Sequence, residues 1–120
     1  MAKAIAVLYP YIPQGASILD VGCGWCGPAR QLHAEHACEV TGVTASADQA
    51  EYCSARGGVE NIIHADANSV LPLRDGAHYD VALLMESISH VQDKRGLLEE
   101  LSKVAGKLVL RVNTYVEKQA

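Results

Sequence analysis

Apolar positions along this chain alternate between two spacings. Short apolar-rich segments occupy residues 17–21, 38–43, 61–65, 79–85 and 107–112, several of them rich in Val and Ile. Runs of this kind, bounded by Gly, Pro and polar clusters, predict strands buried on both faces. Between them the apolar residues recur three and four apart. Leu97, Leu98, Leu101 and Val104 share one face of a helix predicted over 94–104, with Gly106 expected to end it. A helix over 28–36 is predicted to open on Pro28, which suits a first helical turn. Another starts at Ser46 as N-cap, carries Asp48 in its first turn, and stops at Gly57-Gly58. A short first helix is expected over 3–8, ended by Pro10 and Pro13. Residues 66–78 are polar and turn-rich.

Strands alternating with helices predict an α/β fold with a parallel sheet covered on both faces. Right-handed crossovers then bring the loop after every strand to one edge of the sheet. In a doubly wound sheet, ligands bind at that edge.

Bulk properties narrow the range of partners. A chain of 120 residues makes a single domain large enough for a real core, and 49% apolar with 20% charged residues is globular composition. The net charge of −4 gives no reason to expect nucleic acid as a partner. No apolar run is long enough to span a bilayer, and the N-terminus lacks a signal-peptide pattern, so a soluble cytoplasmic protein is expected. Without a secretory signal, Cys23, Cys26, Cys38 and Cys53 are read as buried free thiols. Cys23 and Cys26 have the spacing of a zinc pair, but no second Cys or His pair follows, so no metal is expected. His33 and His36, on the 28–36 helix, are given solvated or capping roles.

The chemistry concentrates in residues 18–30, Ile-Leu-Asp-Val-Gly-Cys-Gly-Trp-Cys-Gly-Pro-Ala-Arg. A strand runs into Gly22, Gly24 and Gly27, and a helix follows. Such a turn lets the backbone take positive φ and lets a ligand approach the main chain. Three chemistries fit these residues taken alone. Gly22, Gly24 and Gly27 satisfy the G-x-G-x-x-G of dinucleotide sites, but the second strand ends Gly42-Val43-Thr44, with no acid to hold a ribose. Trp25-Cys26-Gly27-Pro28 resembles a thioredoxin active site, but Ala29 stands where the resolving thiol belongs.

The third reading accounts for several segments in order. Ile18-Leu19-Asp20-Val21-Gly22-Cys23-Gly24 resembles the first motif of class I S-adenosylmethionine-dependent methyltransferases. Glu39-Val-Thr-Gly-Val-Thr-Ala-Ser46 with Asp48-Gln49 resembles their second strand and turn. Its form is closest to the branch of cyclopropane-fatty-acid synthases and tocopherol methyltransferases. Ala65-Asp66-Ala67 is similar to the adenine-binding turn, and residues 79–91, through Met85-Glu86-Ser87-Ile88-Ser89-His90-Val91, are similar to the fourth strand and the segment beside the methyl group. The resemblance implies a Rossmann-like doubly wound sheet of order 3-2-1-4-5, truncated after strand five.

It also implies roles. Backbone amides of Gly22, Cys23 and Gly24 would meet the carboxylate of S-adenosylmethionine, and Asp20 its amino group or the loop itself. Thr44, Ser46 and Gln49 would lie near the ribose. Asp66 would accept from the adenine amino group, with the Ala67 amide on a ring nitrogen. Glu86 and His90 are the candidates for general base or substrate orientation, against readings as a helix cap and a structural histidine. The family pattern has Gly at the position of Cys26, so a side chain is expected close to the cofactor there.

Relatives of this family continue past strand five with a helix and two more strands, whereas this chain stops seven residues after Asn113. Strand five is therefore expected to be an uncovered apolar edge, and homodimer pairing through it is predicted. Two function classes follow: methyl transfer to a small-molecule or lipid-like acceptor, and a non-catalytic module that binds S-adenosylmethionine.

Overall fold

The computed structural model describes residues 8–66, 73, 76–85 and 92–111. Five strands form one parallel sheet: β1 (Ser17–Val21), β2 (Glu39–Thr44), β3 (Asn61–His64), β4 (Tyr79–Met85) and β5 (Ala105–Arg111). Their order is β3-β2-β1-β4-β5, as the motif order implies. The helices are α1 (Gly27–His36), α2 (Ala47–Arg56) and α3 (Lys94–Val104), preceded by a 3-10 turn over Tyr9–Tyr11. The helix expected over 3–8 falls outside the described residues, apart from Leu8.

Alternation along β1 divides the core into two layers. Ile18 packs with Ala29 and Leu32 of α1, Cys53 of α2, and Val40, Val81 and Leu83 of the neighbouring strands. Leu19 and Val21 face the other way, onto Leu97 and Leu101 of α3 together with Val43, Ala82 and Leu84. Helices therefore cover both faces, and β1, central in the sheet, is buried from Ile18 to Val21. At the N-terminal edge, β1 and β4 are tied by a reciprocal pair. The Ser17 amide donates to an Asp80 carboxylate oxygen at 3.0 Å, and the Asp80 amide to Ser17 Oγ at 2.9 Å.

Helix starts follow the local chemistry. Ser46 Oγ caps α2 by accepting from the Gln49 amide at 3.2 Å. Asp93, unmarked in the sequence reading, caps α3 through the Gly96 amide at 2.9 Å. Helix α3 ends at Val104 as expected, but not for the expected reason. Gly106 does not stop the helix; Ala105 turns extended, donates its amide to the Leu101 carbonyl, and starts β5, which contains Gly106. The two histidines of α1 bond carbonyls outside the helix rather than capping or solvating it. A ring N–H of His33 meets the Cys38 carbonyl at 3.1 Å, and one of His36 meets the Ile12 carbonyl at 2.6 Å.

Candidate functional site

All five strands run the same way, so the ends of β1, β2 and β3 lie along one edge. Asp20 is paired in register with Gly42, and Thr44 with His64. The Ala65 amide donates to the Thr44 carbonyl at 2.9 Å, and a ring N–H of His64 to the Ala45 carbonyl at 3.0 Å. These bonds bring Asp66, which is exposed, beside the end of β2. Asp20, Thr44, Ser46, Gln49 and Asp66 thus share the edge that the sequence assigns to the ligand. Ala67, Glu86 and His90 lie outside the described residues.

The glycine loop is fastened to β2. The amides of Gly22 and Cys23 both donate to the Val43 carbonyl at 2.9 Å, and the Cys26 amide to the Cys23 carbonyl at 2.9 Å. Gly22 and Gly24 have φ of 81° and 58°, in the left-handed region that L side chains avoid. Among the described residues, the Gly24 and Trp25 amides have no backbone acceptor. The Gly22 and Cys23 N–H groups are thus engaged within the fold, and those of the next two residues are not bonded to its described backbone.

Thr44, Ser46 and Gln49 form an interlocked trio. The Thr44 hydroxyl donates to Gln49 Oε1 at 2.7 Å and accepts from the Ser46 amide at 3.1 Å. Its only proton is committed. Among the described residues, the trio's remaining side-chain donors are Gln49 Nε2 and the Ser46 hydroxyl.

Asp20 is buried at the end of β1, and burial pushes its carboxyl up to about 7. The Cys23 thiol, also buried, is pushed up to about 12, by burial first and by the nearby Asp20 charge second. A carboxyl kept from ionising by its surroundings is stabilised as an anion by any cation that reaches it.

The cysteines depart from the free-thiol reading. Cys26 is joined to Cys53 of α2 in a disulfide, while Cys23 and Cys38 are free and buried. The three sulfurs of Cys23, Cys26 and Cys53 lie within 4.8 Å of one another, a grouping that two-residue spacing alone did not reveal. Cys26 has φ of 66°, the conformation for which a glycine is suited, and its side chain is wholly buried in the layer beneath the loop. The Cys26 side chain, expected close to the cofactor, turns into the core through the disulfide. Above it, exposed Trp25 packs edge-on against Tyr52, which also lies under the Arg56 guanidinium.

Among the described residues no helix is long and apolar enough to cross a membrane. A family model described as a methyltransferase domain matches residues 19–109. An O-methyltransferase of Aspergillus sclerotiorum is 36% identical over 95 residues, covering 75% of this chain and 36% of that protein. A probable chloroplastic tocopherol O-methyltransferase of Oryza sativa subsp. japonica is 35% identical over 94 residues, covering 74% and 26%. Among solved structures, coclaurine N-methyltransferase bound to N-methylheliamine and SAH superposes with a TM-score of 0.72 at 25% identity, covering 86% of this chain and 32% of that one. The chain spans about a third of the length of the relatives it matches. Family match, sheet order and glycine loop agree, and the chain belongs to the methyltransferase domain family.

Proposed function

We propose that this chain binds S-adenosylmethionine across the C-terminal ends of β1, β2 and β3, and that the protein containing it transfers the methyl group to a small-molecule acceptor. The observation that carries this reading is the buried Asp20 beside a glycine loop that keeps amides uncommitted. A zwitterionic amino-acid end suits that pair: its ammonium meets the carboxylate, and its carboxylate meets the Gly24 and Trp25 amides and the N-terminus of α1. Gln49, held by Thr44, serves the ribose, and Asp66 the adenine amino group. The Ala67 amide completes the adenine contacts.

Bound there, the sulfonium supplies an electrophilic methyl group. The chain's part is to orient the donor, exclude water and accept a proton from the acceptor. Glu86 and His90, which follow β4 in the sequence, are the proposed groups for that proton. The O- and N-methyltransferases among the relatives support an oxygen or nitrogen nucleophile. We also propose self-association through β5, supported by its edge position and by Leu110, which is 41% exposed. Light scattering at micromolar concentration then gives twice the chain mass, and a monomeric mass refutes the pairing.

Calorimetric titration with S-adenosylmethionine and with NAD tests the central reading. One-site binding of the first and none of the second is expected; the reverse overturns it. Release of S-adenosylhomocysteine with a supplied phenol or amine acceptor marks the enzyme. Binding without turnover on any acceptor marks the non-catalytic module.

A further inference from the structure

The cofactor loop of this chain carries a cross-link that its glycine pattern does not call for. Cys26 stands between the loop and α1 as the helix N-cap, at φ of 66° and ψ of 21°, with no side-chain capping bond. A non-glycine residue pays sterically for that conformation and persists in it only when its surroundings hold it. Two groups of contacts hold Cys26. Its amide donates to the Cys23 carbonyl, and its carbonyl accepts from the Arg30 amide, each at 2.9 Å. Its sulfur is bonded to Cys53, in a helix on the same face of the sheet. Cys53 Sγ also lies 3.6 Å from the Gly24 carbonyl oxygen, so the cross-link reaches beneath the residue whose amide is offered to the ligand.

We propose that the Cys26–Cys53 bond is a positioning element for the methyl-donor site: it holds Cys26 left-handed, which sets the Gly24 and Trp25 amides, so that donor affinity depends on the bond being intact. The proposal rests on the donor-binding reading above. Its chemistry is a two-electron exchange. A dithiol reductant attacks one sulfur as thiolate, the S–S bond breaks, Cys26 and Cys53 each end as thiols, and the reductant leaves as a cyclic disulfide. The third sulfur stays out of the exchange. Cys23 keeps its proton at neutral pH, so the cross-link does not migrate onto it. Both bonded sulfurs are buried, so reduction requires the loop to open, and donor bound above the loop slows it.

Dithiothreitol-reduced and oxidised full-length chain, compared by titration with S-adenosylmethionine, test the proposal. Maleimide labelling after denaturation should count two thiols in the oxidised form and four in the reduced one. Affinity should fall at least tenfold on reduction and equally in Cys53→Ala. The double variant Cys26→Gly/Cys53→Ala should recover most of it, because glycine takes positive φ without the cross-link. A merely stabilising disulfide would give no such recovery. Equal affinities in the oxidised and reduced forms overturn the proposal, as does a chain that keeps four thiols after oxidation.

If neither form binds S-adenosylmethionine, the donor reading has failed, and amide hydrogen exchange decides the positioning role separately. Reduction should then deprotect the Cys26 and Arg30 amides while leaving β4 unchanged. Unaltered protection at both amides overturns that role as well.

Discussion

Between pH 4 and 7 Asp20 keeps its proton in the folded chain and loses it in the unfolded one, because its carboxyl rises from 3.8 to about 7 on burial. The folded state then binds more protons than the unfolded state, so stability falls as pH rises, by up to about 1.4 kcal/mol per unit. Above pH 7 both states are ionised and the slope ends. Thermal melts of the ligand-free chain at pH 5 and pH 8 should show this loss, and Asp20→Asn should flatten it. S-adenosylmethionine affinity has the opposite trend. It should strengthen from pH 6 to 8 as the carboxylate forms, and calorimetry on Asp20→Asn should show weaker, pH-independent binding. A variant that binds as tightly as the parent would remove Asp20 from the site. Gly42 is another position where a single atom decides. A Cβ there would stand 2.9 Å from Cys23 Sγ and 3.3 Å from Ile62 Cδ1. Gly42→Ala should therefore cost about 1–3 kcal/mol in urea unfolding; a change under about 0.5 kcal/mol would show that Cys23 repacks without cost.

At the level of elements, α2 links stability to the site. Ser46→Ala removes its cap, with an expected loss of about 1 kcal/mol by chemical denaturation. Gln49 sits in the first turn, so donor affinity should weaken in the same variant, and an unchanged affinity would separate the cap from the site. Most element boundaries were legible in the sequence, because local spacing sets them: α3 spans the residues its apolar face predicted. The exception is instructive. Gly106 reads as a helix stop, yet β4 offers Ala105 a strand partner at Tyr79, and ladder pairing takes over one residue earlier. The Cys26–Cys53 pair was illegible for a different reason. It spans 27 residues and depends on α1 and α2 packing on the same face, which no local pattern encodes. Closing a loop of that size adds about 3–4 kcal/mol in the chain-entropy account.

Across the whole molecule, the site is a consequence of parallel pairing. Asp20, Thr44 and Asp66 are far apart in sequence, yet strand order alone sets them along one edge, which is why motif order sufficed to expect them together. Sequence could not say which amides stay uncommitted, because Val43 takes two of them only once β1 and β2 are in register. The Ser17–Asp80 pair lies at the other end of that same register. Ser17→Ala or Asp80→Ala should lower the melting temperature by several degrees and leave donor affinity within twofold. A parallel fall in affinity would show that the two edges are not independent. Because β1 is rigidly paired on both sides, this clasp and the ligand edge occupy opposite poles of one strand. Natural or laboratory variation can then tune durability at one pole while specificity changes at the other, giving this small domain two separately adjustable properties along a single β-strand.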